Sequence, residues 1–141
     1  MVELPGERMG ILYCGTPVPH KYPRRPPFGA LGWATWRKGR LVALRAPEEG
    51  FFALWPLVLK GDTVHLNAHV AMTGYILLEA VGPDGNVLPG RSFADCDYMS
   101  GDFLDKAVTW KGQSSLGHKE GAAVKLRFRL RNAELYSVEF R

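Results

Sequence analysis

Residues 124–140 of this 141-residue chain read VKLRFRLRNAELYSVEF and contain its clearest strand pattern. From 124 to 131, basic side chains alternate with apolar ones, and an alternation resumes from 135 to 140. Because successive side chains of a β-strand point to opposite faces, each run predicts a strand with one apolar face. The first strand also predicts a basic row on its other face, formed by Lys125, Arg127, Arg129 and Arg131.

Three residues, Asn132, Ala133 and Glu134, separate the two runs and predict a hairpin loop. A loop of this length pairs Leu130 with Tyr136 and gives the hairpin one apolar face. A two-residue loop would instead set apolar side chains beside basic ones. The end of the chain therefore predicts a hairpin that closes one apolar layer of a sandwich.

Further β-rich runs precede this hairpin, separated by turns rich in glycine, proline, asparagine and aspartate. They predict strands at 9–14, 31–36, 40–45, 51–59, 63–70, 74–81 and 106–111. Many short strands predict an all-β fold, a two-layer antiparallel β-sandwich that is jelly-roll-like, with an N-terminal extension. Five prolines between residues 16 and 27 predict an irregular loop. We therefore divide the chain into an N-terminal strand with this loop (1–30) and a β-sandwich module (31–141).

Composition excludes several classes of protein. Hydrophobic residues make up 46% and charged residues 23% of the chain, the range of globular domains rather than of disordered chains. The longest apolar run, residues 53–59, is far shorter than the ~20 residues that span a membrane, so we expect no membrane partner. The net charge of +4 is mild, and no aromatic side chain shares the basic row, so we expect no nucleic-acid partner.

The chain lacks the common motifs of catalysis and cofactor binding. No GxSxG, HExxH, P-loop or GxGxxG motif occurs, so we expect neither an enzyme nor a cofactor. His65, Asn67 and His69 predict an exposed polar strand face. The two imidazoles are ~13 Å apart along it, too far to share one zinc ion, so we predict no metal site there. Cys14 and Cys96 are either buried thiols or, in an oxidising compartment, a disulfide.

Two charged features leave more than one interpretation. Asp95, Asp97 and Asp102 share a glycine-containing loop, where carboxylates either cap turns or bind calcium through their oxygens. The basic row is either a solvated outer face or a track for phosphates or an acidic polysaccharide. We favour the solvated face for the row and turn-capping for the aspartates.

Several short segments resemble a known family. Residues 31–37 read LGWATWR, 93–97 read FADCD, 108–112 read VTWKG and 11–15 read ILYCG. They are similar to the C-terminal β-sandwich module that follows the five-bladed β-propeller in glycoside-hydrolase proteins of the family 32 and 43 kind. In that module the first segment reads GLATLRRDGF, and the last segment resembles the closing propeller strand. The resemblance implies a non-catalytic accessory module, since the catalytic acids of such proteins lie in the propeller. The partners it implies are a β-propeller domain or a second copy of the chain.

This resemblance makes a carbohydrate, a poly- or oligosaccharide, the expected ligand, and exposed aromatic rings are the side chains that stack on sugars. Our candidate binding residues are Trp36, Trp55, Tyr98 and Trp110, with Asn67, Asp97 and Asp102 as polar partners. Each tryptophan is alternatively a core residue, because large rings usually fill the interior of a sandwich. The alternative function is a structural packing or oligomerisation module without a ligand, which predicts a bare apolar patch near the N-terminus.

Overall fold

The computed structural model describes residues 1–17, 19 and 29–141, and most of the predicted proline-rich loop lies outside them. Eight strands and no helix occur among these residues. In chain order the strands are β1 (Val2–Leu4), β2 (Arg8–Gly15), β3 (Ala30–Arg37), β4 (Leu44–Ala53), β5 (Leu57–Val58), β6 (Val64–Val81), β7 (Gly101–Ala107) and β8 (Ala123–Phe140). They form two sheets in which all neighbours pair antiparallel. The predicted fold class, an all-β protein of β-sandwich character, is confirmed.

Two compact units make up the chain, Met1–Leu41 and Val42–Arg141, here called unit 1 and unit 2. Unit 1 holds a three-stranded sheet of order β1-β2-β3. Unit 2 holds a five-stranded sheet of order β4-β8-β6-β7, with β5 paired to β8. The division falls after Leu41 rather than after residue 30, because β3 pairs with β2 along its whole length and so belongs to the N-terminal sheet.

The hairpin that we predicted at the end of the chain does not form, because β8 runs on through residues 132–134. Both halves of β8 pair with β6, with Arg131 opposite Tyr75 and Ala133 opposite Val70. Between these two pairs, four residues of β6 (71–74) stand against the single residue Asn132 of β8, so the bulge lies on β6, and Asn132 takes a left-handed φ of 44°. The predicted strands at 63–70 and 74–81 are likewise one strand, β6. The apolar alternation was therefore interpreted correctly, but its partner is a strand far away in the sequence.

Other strand boundaries also differ from the prediction. β4 joins parts of the predicted strands at 40–45 and 51–59 across a bulge between Ala46 and Glu49. Pro47 lies in this bulge, where its missing N–H removes no hydrogen bond from the ladder. β7 ends at Ala107, near the start of the strand that we predicted at 106–111.

The core of unit 2 lies on the inner face of β6 and β8. Ile76 is opposite Leu130 and Leu78 is opposite Phe128, and all four side chains are buried. Phe128 also stacks on Phe52 of β4, with the ring centroids 4.5 Å apart. The connecting segments complete this cluster with Met99, Val108, Trp110 and Leu116. Burying a side chain of this size contributes ~1.5–3 kcal/mol, so the core fixes which side of β8 points outward.

The opposite side of β4, β8 and β6 is the outer face of unit 2. On β8 it carries the basic row, whose side chains alternate with buried apolar ones as we predicted. Strand pairing sets one residue from each of the three strands side by side at each level. In the order β4, β8, β6, the levels are Glu49–Arg131–Tyr75, Phe51–Arg129–Leu77 and Ala53–Arg127–Glu79.

Candidate functional site

An aromatic depression lies on the outer face of unit 2. It has a volume of about 380 Å³ and is lined by Glu49, Gly50, Phe51, Phe93 and Arg129. Phe51 is 64% exposed and meets Phe93 edge-on, with the ring centroids 6.2 Å apart. Alternation along β4 places Phe51 here, since its neighbour Phe52 packs against the core. The depression therefore offers an open aromatic ring beside charged groups.

Glu49 is the polar centre of this face. The Tyr75 hydroxyl donates a hydrogen bond to Glu49 Oε1 at 2.7 Å, and Arg129 Nε donates to the same oxygen at 2.6 Å. The bonds from Tyr75 and Arg129 hold the pKa of the Glu49 carboxyl below its ordinary value. The bond to Glu49 also raises the pKa of the Tyr75 hydroxyl. Glu49 is therefore ionised at neutral pH, and its Oε2 accepts no hydrogen bond from the residues that the structure describes.

Tyr98 and Arg131 extend this arrangement beyond the depression. Tyr98 is 73% exposed and meets Tyr75 edge-on, with ring centroids 5.6 Å apart and planes at 85°. Arg131 lies between Glu49 and Tyr75 in register, and its charge helps to lower the pKa of Glu49. The outer-face site comprises Glu49, Phe51, Tyr75, Phe93, Tyr98, Arg129 and Arg131.

A second depression lies further along β8, beyond Arg131 as seen from the first depression. It has a volume of about 400 Å³, and its lining includes Arg45, His69, Thr73, Asn132 and Glu134. The strands are irregular here, since β4 shifts register between Ala46 and Glu49 and β6 shifts between Val70 and Tyr75. Bulges of this kind redirect side chains and are common beside functional sites. The two depressions thus follow one another along the outer face.

Among the predicted sugar-binding residues, Tyr98 is the one that belongs to the outer-face site. Trp110 is only 1% exposed, and its indole Nε1 donates a hydrogen bond to the Leu78 carbonyl oxygen at 3.0 Å. Asn67 is 5% exposed in β6, which has a strand on each side. The predictions for Trp110 and Asn67 are wrong, because both side chains are packed in the interior and present no surface to a ligand. The polar face predicted around Asn67 is therefore not exposed at its centre.

The aspartate loop is held together from within. Asp97 accepts hydrogen bonds from Thr109 Oγ1 at 2.6 Å and from the Gly112 N–H at 2.8 Å, and both lower its pKa. Asp95 pairs with Lys111, which is the main reason why the pKa of this carboxyl falls to about 2. These two carboxylates brace turns, which is the interpretation that we favoured. Within residues 1–17, 19 and 29–141, no three side chains of the metal-ligating kind cluster together.

The remaining candidates, Trp36, Trp55 and Asp102, line neither depression. Trp36 is half-buried in β3 of unit 1, opposite Met9. Trp55 is 86% exposed between β4 and β5. Asp102 is exposed in β7, opposite His69. Of the three, Trp55 presents the open ring that stacking on a sugar requires.

Sequence reasoning missed Glu49, Phe51, Tyr75 and Phe93 as members of a site. The alternation of Glu49 and Phe51 with the apolar side of β4 was the available signal. It would have predicted that these two residues share a face. The partners of that face, Tyr75 and Phe93, come from segments that only the strand pairing brings alongside.

The two cysteines are both free thiols, which answers the question that the sequence left open. Cys14 is exposed in β2, whereas Cys96 is buried in the core of unit 2. The Leu78 N–H donates a hydrogen bond to Cys96 Sγ at 3.3 Å. Burial raises the pKa of the Cys96 thiol to about 11, so this residue is a packing group rather than a nucleophile.

No family model matches this chain, and no curated protein or solved structure is significantly similar to it. None of the described residues belongs to a helix long and apolar enough to cross a membrane. The outer-face site is therefore the feature from which a function has to be argued.

Proposed function

We propose that this protein is a non-catalytic accessory module that binds carbohydrate through the outer-face site of unit 2. The observation that carries the proposal is the placement of two exposed rings, Phe51 and Tyr98, around the hydrogen-bonded pair of Glu49 and Arg129. A pyranose ring has an apolar C–H face that packs on an aromatic ring and a rim of hydroxyls that need donors and acceptors. The outer-face site supplies both kinds of contact on one surface.

The polar groups of the site are already arranged for hydroxyl recognition. Glu49 Oε1 is occupied by Tyr75 and Arg129, while Oε2 is available as an acceptor. Because Tyr75 and Arg129 already hold the Glu49 carboxylate, the Glu49 side chain loses little conformational entropy when a sugar hydroxyl binds to Oε2. A pre-oriented acceptor beside an open ring favours a sugar over a purely apolar ligand.

The electrostatics of Glu49 support binding rather than hydrolysis. Glycosidases use two carboxyl groups ~5–10 Å apart, and the general acid of the pair needs a raised pKa. The pKa of Glu49 is lowered by Tyr75 and Arg129, which is the opposite of what a general acid needs. The other described residues that line the depression are Gly50, Phe51, Phe93 and Arg129, and none of them is a carboxylate.

Affinity electrophoresis of the full chain in gels that contain neutral and acidic polysaccharides tests this proposal. We expect retardation in at least one gel and a loss of affinity of about tenfold or more in Phe51→Ala and Tyr98→Ala, since each removes a stacking ring. Trp33→Ala is the matched control, because Trp33 is a 52%-exposed ring of unit 1. Circular dichroism checks that all variants are folded. The absence of retardation in every gel, or an equal loss in Trp33→Ala, would refute the proposal.

A second candidate function, a packing module, is favoured by the sheet of unit 1. Ile11, Leu12 and Tyr13 are consecutive in β2 and all exposed, so both faces of this sheet present apolar side chains. Leu31 and Trp33 of β3 add to this surface. Apolar surface of this extent favours a covering partner, either a β-propeller domain or a second copy of the chain. Sedimentation velocity over a range of concentrations tests the second copy, and a monomer at every concentration excludes it.

A further inference from the structure

The basic row of the outer face is only partly neutralised. Arg127 Nη1 donates to Glu79 Oε1 at 2.9 Å, and Arg129 Nε donates to Glu49 at 2.6 Å. Arg131, the next member of the row, is exposed and makes no hydrogen bond or ion pair with the residues of the described ranges. Positive charge is therefore left over on this face at the level that separates the two depressions.

The surroundings of Arg131 suit a carboxylate that is attached to a sugar. An arginine guanidinium is planar and binds a carboxylate through two parallel hydrogen bonds. Tyr75 lies beside Arg131 in register and carries Tyr98 edge-on against it, so an exposed ring stands next to the cation. Glu49, on the other side of Arg131, is held by Arg129 and Tyr75, which weakens its repulsion of an incoming anion.

The acidic groups near the second depression are also engaged. Glu134 accepts a hydrogen bond from the Tyr136 hydroxyl at 2.6 Å and lies 3.6 Å from Arg45 Nε. A negatively charged chain that follows the outer face from one depression to the other therefore passes carboxylates that already have partners. Those carboxylates therefore repel the negatively charged chain less, and its attraction to Arg131 is stronger.

We infer that the ligand class of the outer-face site is an acidic glycan, with a uronate carboxylate on the guanidinium of Arg131 and the sugar ring against Tyr98. This inference rests on the proposed carbohydrate-binding function. It changes the interpretation of the basic row from a solvated face to a recognition element, with Arg131 as the residue that discriminates between charged and neutral sugars.

The test compares the binding of polygalacturonate with that of the same polymer after full methyl esterification, which removes the charge and keeps the sugar. We expect polygalacturonate to bind about tenfold or more tightly, and Arg131→Ala to abolish that preference. Arg131→Lys keeps the charge without the planar fork and should retain part of the preference. Lys60→Ala is the control for net charge, since Lys60 is exposed outside the outer face, and it should bind as the wild type does.

The outcomes separate this inference from the proposed function. If the neutral ester binds as tightly as the acid, or if Arg131→Ala keeps the preference, the inference fails while carbohydrate binding stands. If the wild type binds neither these polymers nor any other glycan, the proposed function fails as well.

Discussion

Replacement of Trp110 by alanine distinguishes a core residue from a binding residue. The side chain is 1% exposed, its Nε1 bonds to the Leu78 carbonyl, and the Arg91 guanidinium carbon lies 5.6 Å from the ring centroid. Removing a buried tryptophan costs ~3–5 kcal/mol because of lost transfer free energy and the cavity left behind. The unmade hydrogen bond at Leu78 adds ~1 kcal/mol or more. We therefore expect Trp110→Ala to lower the free energy of unfolding by ~4–6 kcal/mol, a large share of the ~5–15 kcal/mol typical of a domain.

Urea unfolding followed by far-ultraviolet circular dichroism measures this loss without depending on the fluorescence of the other tryptophans. In a thermal scan, at ~4 °C or more per kcal/mol for a domain of this size, the loss of ~4–6 kcal/mol should lower the melting temperature by at least ~16 °C. Trp110→Phe keeps most of the ring and loses the N–H donor, so it should lie between wild type and Trp110→Ala. Trp55→Ala removes an 86%-exposed ring and should change stability by less than ~0.5 kcal/mol. A Trp110→Ala protein as stable as Trp55→Ala, yet defective in glycan binding, would refute the placement of Trp110 in the core.

Two further predictions concern titratable groups. Lys111 depresses the pKa of Asp95 to about 2 from an ordinary 3.8, so the stabilisation from this carboxylate is complete above about pH 3.8 and disappears as the pH falls through 2. In acid titrations followed by circular dichroism, the stability difference between wild type and Asp95→Asn should therefore shrink over that interval, and a difference that stays constant would contradict the pairing. For the thiols, exposure and burial predict that Cys14 reacts with Ellman's reagent in the native protein while Cys96 reacts only after denaturation. Two fast-reacting thiols in the native protein would contradict the burial of Cys96.

The inner and outer faces of β8 could be predicted from the sequence because strand geometry is local. The alternation of Leu126, Phe128 and Leu130 with basic residues needs no knowledge of any partner strand, and the structure places all three leucine and phenylalanine side chains in the core. The partner itself could not be predicted in this way. A hairpin and a long strand paired with β6 bury the same apolar face, and the local pattern contains nothing that separates them.

The choice between a terminal hairpin and one long strand depends on long-range pairing with β6. A hairpin would have paired the two halves of β8 with each other, whereas β6 pairs with both halves, with register shifts between Asn67 and Ala68 and between Val70 and Tyr75. The register shift is taken up by residues 71–74 of β6, which lie opposite Asn132 with its left-handed φ of 44°. Asparagine favours turns and also tolerates a left-handed conformation, so a residue that suggested a loop can lie within a continuous strand.

The candidate site was harder to predict than the fold because its members share no stretch of sequence. Tyr98 could be nominated as an aromatic residue in a polar loop, but its neighbour Tyr75 was assigned to a strand and not to a site. Trp110 was predicted as a ring that stacks on a sugar, with core packing as the alternative, and its residue type could not decide between them because large rings fill cores as readily as they line surfaces. The burial of a ring depends on which segments of the chain pack over it, and this is determined by the tertiary structure.

The register in which β8 pairs with β4 and β6 determines both the core and the outer-face site. Burial of the inner face of β8 forces every basic residue of the row to the outside. There the acids of β4 and β6 bond to Arg127 and Arg129, whereas among the described residues none forms a hydrogen bond or ion pair with Arg131. A shift of one residue would exchange the two faces, burying the charges and exposing the apolar side chains. Selection for a stable core therefore also fixes where the unpaired charge lies. Because Arg131 forms no ion pair within the part of the chain that the structure describes, its replacement should change binding while leaving stability nearly unaltered, which is the behaviour of a recognition residue and not of a structural one.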